Sequence, residues 1–327
     1  MDNGTILVVG GAGYIGSHTV RALADAGRRV LVLDNLSEGH REAVTRCPLI
    51  TADIHDCAAL NKVFTEHTIS AVMHFSAFAY VGESVANPQK YYHNNVSSTL
   101  NLLSAMLSYG VKYFIFSSSC ATYGNPQYTP IDETHPQSPI NPYGATKFMV
   151  ERIVADYHNA YGLNYMCLRY FNAAGAHPDG ATGESHRVET HLIPLILKTF
   201  TGENQQIQIF GNDYDTPDGT CVRDYIHVCD LADAHIAALS ALLAGAESCC
   251  VNLGTGKGVS VKKMISACEE VVGKKAPVVA APRRAGDPSI LTASNALAFQ
   301  TLGWKPRYTD IREIIATAWN WEQHRRY

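Results

Sequence analysis

The sequence predicts an α/β protein built on a doubly wound parallel sheet, with a smaller, interleaved C-terminal domain. Three observations support this fold class: strand-like and helix-like runs alternate, a glycine-rich loop joins the first strand to the first helix, and several strands end in polar or small residues. Alternating strands and helices are typical of parallel sheets, whose ligands bind beyond the carboxyl ends of the strands. The 327 residues suffice for one large or two medium domains.

Six short apolar runs in the first half of the chain have the length and composition of buried strands. They are residues 5–9, 29–33, 49–52, 71–75, 113–117 and 164–170. Polar or small residues follow four of them, at Asp53, Ser76-Ala77, Ser118-Ser119 and Phe171-Asn172. Because the carboxyl ends of parallel strands meet at one edge, we expect these residues to line a common ligand site.

The first strand leads directly into glycines at positions 10, 13 and 16 and then into an apolar-periodic helix. Such a loop permits a tight turn and close approach of the backbone to a pyrophosphate, and the helix N-terminus supplies amide donors. Asp34 ends the next strand, roughly 20 residues further on, where its carboxylate can accept from both ribose hydroxyls of adenosine. The same negative charge repels a 2′-phosphate, so the sequence favours NAD over NADP.

Tyr143 and Lys147 lie one helical turn apart, after a strand that ends in Ser117-Ser118-Ser119. Residues four apart share one face of a helix, so both side chains can reach the same pocket. A phenol has a pKa of about 10, and a tyrosine that accepts a proton near neutrality needs a cation beside its phenolate. We expect Lys147 to supply that charge. A solvated surface pair is the alternative interpretation of the spacing alone.

Beyond residue 172 the predicted elements become shorter and the chain is richer in glycine, histidine and proline. We therefore predict an NAD-binding domain over residues 1–172 and a smaller substrate domain over 173–327. A strand at 224–228, a helix at 231–243 and a strand at 250–253 suggest a return segment near 222–254 that rejoins the first sheet.

Composition excludes several classes of function. The formal net charge of −4 and the lack of basic runs argue against nucleic acid or an anionic membrane as partner. Nine cysteines without a Cys-x-x-Cys pair indicate thiols in a reducing compartment. The fourteen histidines form no His-Glu-x-x-His motif, so no metal site is expected. With no leader and no apolar run of about 18 residues, we expect a cytoplasmic protein.

Seven segments spread over nearly the whole chain carry a resemblance to a known family. They are residues 10–18, 34–36, Ser119, Tyr143-x-x-x-Lys147, 169–172, 211–214 and 223–228. The sequence resembles the extended short-chain dehydrogenases/reductases, and among them most closely the UDP-glucose 4-epimerase family. The resemblance implies interconversion of UDP-glucose and UDP-galactose by transient oxidation at sugar carbon 4, with NAD retained. It also implies a homodimer built on two helices, one bearing Val96, Leu100, Leu103 and Leu107 and the other Tyr143.

The resemblance also implies site residues. Ser119, Tyr143 and Lys147 are expected to be catalytic. The residues expected to bind NAD are Gly10, Gly13, Tyr14, Ile15, Gly16, Asp34, Asn35, Leu36, Asp53, Ile54, Phe75, Ala77, Asn94, Tyr143, Lys147 and Phe171. Those expected to contact the UDP-sugar are Ser119, Tyr143, Asn172, His191, Leu192, Phe210, Arg223, Arg284, Asp287 and Leu291.

Three positions depart from the family pattern. Ala79 stands where some members have a lysine that helps to hold the nicotinamide half of the cofactor, and His191 replaces an asparagine. Leu291 lies where some members have a tyrosine that crowds the sugar, which predicts activity on UDP-N-acetylglucosamine as well.

Two other functions fit the same fold. A nucleotide-sugar dehydratase or decarboxylase shares NAD and the tyrosine–lysine pair, but dehydratases also need an acid and a base, and Cys120 and Ala121 occupy the positions where relatives carry Asp-Glu. A non-catalytic NAD-sensing protein is the second alternative, since a fold alone does not establish activity.

Overall fold

The computed structural model describes residues 4–284 and 287–327. Its strands are β1 (Thr5–Val9), β2 (Val30–Asp34), β3 (Leu49–Thr51), β4 (Ile69–His74), β5 (Tyr113–Ser119), β6 (Asn164–Tyr170), β7 (Asn172–Ala174), β8 (Ile207–Phe210), β9 (Val222–His227), β10 (Cys249–Leu253), β11 (Gly258–Ser260), β12 (Val278–Ala281) and β13 (Ile290–Leu291).

Eleven α-helices are found within the described residues. They are α1 (Tyr14–Asp25), α2 (Cys57–Glu66), α3 (Val81–Ala86), α4 (Pro88–Tyr91), α5 (Ser98–Ser108), α6 (Pro142–Tyr161), α7 (Leu192–Thr201), α8 (Val228–Leu243), α9 (Val261–Val272), α10 (Ala296–Leu302) and α11 (Ile311–Gln323). A π-helical turn, Tyr92–Ser97, joins α4 to α5, and short 3₁₀ turns lie at Arg41–Ala43 and Cys120–Thr122.

Seven parallel strands form the large sheet in the order β10-β6-β5-β4-β1-β2-β3. The order reverses direction at β1, as in a doubly wound sheet, and the predicted fold class is confirmed. All six strands predicted in the first half lie in this sheet, with ends shifted by up to two residues.

Alternate residues of the central strands face opposite layers of helices, as the period of two in a strand requires. Val8 and Val32 pack in the layer that includes Leu231 and Leu239 of α8, whereas Leu7 and Leu31 pack in the opposite layer with residues of α2 and α5. Full burial of each such side chain stabilises the fold by about 1.5–3 kcal/mol. The sheet is therefore held from both faces, and its carboxyl edge is a rigid base for a site.

The prediction for residues 222–254 is only partly right. Cys249–Leu253 rejoins the large sheet beside β6, but β9 lies in a separate four-stranded sheet with β7, β11 and β13. A third sheet pairs β8 with β12 in parallel. Helices α7, α9 and α11 pack together around a core that includes Ile193, Met264 and Ile314. The small sheets and α7 carry five of the ten predicted substrate residues, namely Asn172, Leu192, Phe210, Arg223 and Leu291.

Among the described residues, no helix combines the length and the apolar character that a membrane span requires.

Candidate active site

The glycine loop leaves no room for larger residues at two positions. A Cβ on Gly10, whose φ is +78°, would lie 2.4 Å from the backbone nitrogen of Ser76, and one on Gly16 would lie 2.2 Å from the carbonyl oxygen of Gly10. The start of α1 therefore packs tightly against the ends of β1 and β4. Its N-cap, Gly13, makes no side-chain capping bond, and the first turn of α1 has no acidic residue. These backbone amides are suited to an anionic pyrophosphate.

Asp34 is positioned by backbone amides at the carboxyl end of β2. Its two carboxylate oxygens accept hydrogen bonds from Ala12 N at 2.9 Å and Leu36 N at 2.8 Å. A carboxylate has about four lone-pair sites, so capacity remains for the ribose hydroxyls of adenosine. Leu36 has a φ of 59°, which is rare for a branched residue, and Asn35 donates to Asp53 at 2.8 Å. Burial raises the pKa of Asp34.

The predicted cofactor residues beyond β3 and β4 fall on the same edge of the sheet. Ile54 is buried after β3, and Phe75 and Ala77 follow β4. Asn94 lies in the π-helical turn and donates to Asn95 at 2.9 Å.

Asn95 was missed by sequence reasoning. Its side chain accepts from Phe78 N at 2.9 Å and donates to Phe78 O and to Thr146 of α6, so it ties the loop after β4 to the helix that carries Tyr143. Irregular π turns are frequent at functional sites, but a single polar side chain within a helix-like run gave no sequence pattern to identify it.

Tyr143 and Lys147 both point inward from the first turns of α6. Asn141 caps this helix by accepting from Gly144 N at 2.8 Å, and Pro142 occupies its first position. Tyr143 is 8% exposed and Lys147 3%. The Lys147 Nζ lies 5.9 Å from the centre of the Tyr143 ring and donates to the carbonyl oxygen of Ser117 at 2.7 Å. The surface-pair alternative is excluded.

The electrostatics differ from the expectation. Burial raises the pKa of Tyr143 well above its usual range, although a hydrogen bond with Ser119 acts in the opposite direction. Burial lowers the pKa of Lys147 to about 7, and the charge of Glu151 opposes that shift. The polypeptide alone therefore favours a neutral phenol, because desolvation by burial is the largest influence on the pKa of Tyr143.

Ser119 ends β5 opposite Tyr170 of β6, and Asn172 begins β7 two residues later. Ser119 is 7% exposed, and its hydroxyl oxygen accepts from Ala121 N at 3.1 Å. The hydroxyls of Ser117 and Tyr170 are 2.5 Å apart, and sequence reasoning did not single out Tyr170. The predicted catalytic residues thus lie together at the carboxyl edge of the sheet.

A buried ion pair holds α6 on this edge. Glu151 receives two bonds from Arg169 of β6, at 2.9 and 2.7 Å, and one from Ser118 at 2.5 Å. Glu151 lies one turn beyond Lys147 on the same helix, so these bonds fix the rotation of α6 relative to β5 and β6. Sequence reasoning missed Glu151, because its partners are distant in the chain.

A cavity of about 470 Å³ opens beside β7. Seven predicted substrate residues line it, namely Asn172, His191, Leu192, Phe210, Arg223, Arg284 and Asp287. Arg223 and Asp287 form an ion pair, and Arg223 also donates to the carbonyl of Val222 at 2.7 Å. The guanidinium of Arg284 lies 3.8 Å from the centre of the Phe210 ring. Between Arg284 and Asp287, Ala285 and Gly286 lie outside the described residues.

Leu291 does not line this cavity. It lies on β13, paired with Arg223 of β9, and packs on a small cluster that includes Phe171, with Cys120 also packed against it. Leu291 therefore packs on the same small cluster as Cys120, the residue that directly follows Ser119.

The segment before α7 brings together side chains that the sequence did not mark as ligands. One nitrogen or oxygen from each of Glu184, His186, Glu189 and His191 lies within 4.8 Å of the others. The search for His-Glu-x-x-His missed their Glu-x-His-x-x-Glu-x-His spacing. The prediction of no metal site depended on the absence of Cys-x-x-Cys and His-Glu-x-x-His, and these four residues offer metal-binding donor types without either motif.

Comparison with known proteins decides the family. A model of the NAD dependent epimerase/dehydratase family matches residues 6–254. The chain belongs to this family. NAD is therefore its cofactor, and the glycine cradle, the free helix N-terminus and Asp34 fit it.

Relatives with specific names match the chain over nearly its full length. A UDP-glucose 4-epimerase of Rhizobium leguminosarum bv. trifolii is 53% identical over 98% of both chains. The crystal structure of UDP-glucose 4-epimerase from Brucella ovis in complex with NAD is 49% identical, covers 97% of each chain and has a TM-score of 0.95. The UDP-Glc/GlcNAc 4-epimerase of Campylobacter jejuni is 42% identical, with 98% of this chain and 99% of that chain covered and a TM-score of 0.86.

Proposed function

We propose that this enzyme interconverts UDP-glucose and UDP-galactose by reversible oxidation at carbon 4 of the sugar. The observation that carries the proposal is the position of Tyr143, Ser119 and Lys147, which lie on the sheet edge shared with the glycine cradle. Ser119 pairs with Tyr170 in the sheet, and Asn172, two residues after Tyr170, lines the cavity.

Tyr143, Ser119 and Lys147 each have a distinct task in this reaction. Tyr143 accepts the proton of the hydroxyl at carbon 4, and Ser119 hydrogen-bonds the same sugar oxygen. Lys147 adds positive charge near the phenol and, through the carbonyl of Ser117, fixes α6 against β5. NAD⁺ held by the glycine loop and Asp34 would supply a hydride acceptor and donor for carbon 4 and a positive charge that favours the phenolate of Tyr143. No net oxidation occurs.

The nucleotide must stay anchored while the sugar presents its other face. Arg223 and Arg284 are suited to the diphosphate, because guanidinium groups form charge-assisted bonds with phosphate oxygens. In this proposal a diphosphate at Arg223 competes with its present partner, Asp287, whose carboxylate is then released to contact the uridine ribose. Asn172, His191, Leu192 and Phe210 line the rest of the cavity.

The dehydratase alternative lacks its acid and base. Burial raises the pKa of the Cys120 thiol to about 12, and Ala121 has no titratable group. Neither residue can exchange a proton near neutral pH to eliminate water across carbons 5 and 6.

Activity on UDP-N-acetylglucosamine and UDP-N-acetylgalactosamine is part of the proposal. Leu291 has neither the ring nor the hydroxyl of a tyrosine, so it leaves more room beside the cluster that contains Phe171. The similarity to the Campylobacter jejuni enzyme, whose name includes UDP-Glc and GlcNAc, supports activity on an N-acetylated sugar as well as on UDP-glucose.

The test is incubation of the purified protein with UDP-galactose, with the products resolved by proton NMR. The proposal predicts an equilibrium mixture with UDP-glucose. A 4-keto-6-deoxy sugar would favour the dehydratase alternative, and no turnover with added NAD would favour an NAD-sensing protein. A separate incubation with UDP-N-acetylgalactosamine tests whether the enzyme also converts N-acetylated sugars.

A homodimer through α5 and α6 is also proposed, although only part of the predicted apolar stripe is available. Leu103 is 1% exposed, and Val96 packs with it on the chain's own sheet. Leu100 and Met149 are 37% and 42% exposed, so a partner can cover them. Light scattering of the wild type and of a Leu100→Lys, Met149→Lys variant tests this, since the variant is expected to be monomeric.

A cytoplasmic location is proposed on the basis of the thiols. All nine cysteines are free, although Cys249 and Cys250 are adjacent and half-buried. Free thiols persist in reducing compartments. Cell fractionation tests the location.

A further inference from the structure

The segment Glu184–His191, which leads into α7, carries a cluster of potential metal ligands separate from Ser119, Tyr143 and Lys147. The Nδ1 of His186 lies 3.3 Å from Glu184 Oε1 and 3.4 Å from Glu189 Oε2. The Nδ1 of His191 lies 3.7 Å from Glu189 Oε1 and contacts Glu184 directly. Four donors from one short segment thus converge on one point.

These distances suit a tetrahedral metal ion. Zinc binds histidine nitrogen and carboxylate oxygen at about 2.0–2.2 Å, which places neighbouring ligands of a tetrahedron roughly 3.3–3.6 Å apart. The separations of His186 Nδ1 from Glu184 Oε1 and from Glu189 Oε2 lie within that range, and His191 and Glu184 must move apart to admit an ion. Two imidazoles with two carboxylates favour Zn²⁺ or another late transition metal over Mg²⁺ or Ca²⁺, which prefer oxygen ligands alone.

The two carboxylates are preorganised and largely removed from solvent. The side chains of Glu184 and Glu189 are 6% and 5% exposed. Glu189 Oε1 accepts from the backbone amides of Thr190 and His191, both at 2.8 Å, which leaves Oε2 available to an ion. Trp321 donates to the backbone carbonyl of Glu184 at 2.8 Å and anchors the start of the segment.

No lysine or arginine neutralises these carboxylates among the residues that the structure describes. The ion pairs of Glu184 and Glu189 there involve only His186 and His191. Two buried carboxylates brought this close repel each other unless positive charge lies between them. Protonated imidazoles of His186 and His191 supply that charge in the absence of an ion, and a divalent cation would supply it in their place and release their protons.

We propose that Glu184, His186, Glu189 and His191 form a binding site for Zn²⁺ or a similar transition metal ion. The ion would hold in place the segment Glu184–His191, which borders both the predicted NAD site after β2 and the substrate cavity. Arg187, in the middle of the segment, donates to the carbonyls of Leu36 and Ser37 after β2. At its end, His191 lines the cavity beside Arg223. A metal on Nδ1 of His191 also fixes the proton on Nε2, which then serves as a donor.

Binding is tested on the full-length, NAD-containing protein after dialysis against a chelator, without any turnover assay. Calorimetric titration with Zn²⁺ is expected to give one tight site per chain. Co²⁺ is expected to give the intense visible absorption of tetrahedral coordination without a thiolate charge-transfer band, which excludes the cysteines as ligands. His186→Gln and Glu189→Gln should each weaken binding by at least the roughly 10–100-fold that loss of an outer-shell partner costs.

His67→Gln, which removes a half-buried histidine just beyond α2, is the matched control and should leave the affinity unchanged. Circular dichroism and NAD content establish that the variants are folded. Trypsin reports on the segment itself, because Arg187 is exposed. Zn²⁺ should slow cleavage after Arg187 in the wild type and in His67→Gln but not in the two ligand variants.

Equal Zn²⁺ affinity in the wild type, His186→Gln and Glu189→Gln would overturn the proposal, as would the lack of a stoichiometric site. A thiolate charge-transfer band with Co²⁺ would also contradict it. Since no arm of the test uses a sugar nucleotide, failure of the epimerase proposal would leave this result intact.

Discussion

Tyr143 is the residue on which the proposed proton transfer depends. Its phenol is buried, its pKa is raised by that burial, and Ser119 is its hydrogen-bond partner. Tyr143→Phe removes the proton acceptor and leaves the ring in place. We expect turnover of UDP-galactose to fall by roughly 10²–10⁴-fold with little change in NAD content, measured by NMR.

Tyr161→Phe on the same helix is the control for Tyr143→Phe. Tyr161 is 52% exposed at the end of α6, so this variant should retain wild-type turnover. If Tyr143→Phe kept more than about a tenth of the wild-type rate, a different group would have to accept the proton.

Leu291 is the residue on which the predicted activity on N-acetylated sugars depends. Leu291→Tyr adds a ring and a hydroxyl on the side of the pocket near Cys120 and Phe171. We expect kcat/KM for UDP-N-acetylgalactosamine to fall at least tenfold, with kcat/KM for UDP-galactose nearly unchanged. Leu291→Met conserves volume and should keep both activities. Equal losses on both sugars would mean that Leu291 is not a gate for the N-acetyl group.

Local patterns in the sequence predicted single residues well where the chemistry is local. Gly10, Gly16 and Asp34 follow from a loop and a strand end, and Tyr143 and Lys147 follow from helical spacing. Asn95, Glu151 and Tyr170 could not be predicted, because their partners are 17 to 53 positions away in the chain. The burial of the Tyr143 phenol, which determines the direction of its pKa shift, could not be predicted either.

At the scale of elements, the start of α1 is the most constrained part of the cofactor site. Gly16→Ala places a Cβ 2.2 Å from the carbonyl oxygen of Gly10, so the helix must shift away from the loop. We expect NAD affinity to fall at least tenfold, measured by calorimetry on protein stripped of cofactor. Gly82→Ala in α3 is the control, since its Cβ meets nothing within 4 Å, and NAD affinity should not change. Similar NAD affinities for Gly16→Ala and Gly82→Ala would contradict the claim that NAD binding requires the close packing at Gly16.

Strand pairing explains which elements the sequence placed correctly. The first six strands alternate with helices and pair in the order that a doubly wound sheet dictates, so their partners could be inferred. β9 contains Arg223, Asp224 and His227 among its six residues, and it pairs with β7, β11 and β13, which have only three, three and two residues. Strands this short leave no clear periodicity, and the small sheets were therefore invisible in the sequence.

At the scale of the whole molecule, buried neutral histidines couple stability to pH. His74 is 1% exposed, bonds to Thr99 at 2.9 Å and packs near Phe114 and Phe116. Burial, with a smaller effect from the charge of Lys147, lowers the pKa of His74 to about 3. In the unfolded chain the pKa is about 6.5, so the unfolded state takes up a proton first as the pH falls.

The stability that the neutral His74 contributes is therefore complete above pH 6.5 and is lost as the pH falls toward 3. Between pH 7 and pH 4 the wild type should lose about 3 kcal/mol more unfolding free energy than His74→Gln, measured by urea denaturation. His67→Gln should follow the wild type. Parallel pH curves for the wild type and His74→Gln would show that His74 does not titrate as its burial implies.

The central claim is that carbon 4 is oxidised and reduced again within one closed site. The most direct test uses UDP-galactose with deuterium on carbon 4, incubated with the NAD-containing protein in ordinary water and followed by NMR. Our account predicts UDP-glucose that keeps the deuterium on carbon 4, since the same hydrogen returns to the opposite face. Replacement of that deuterium by hydrogen from water would contradict the account.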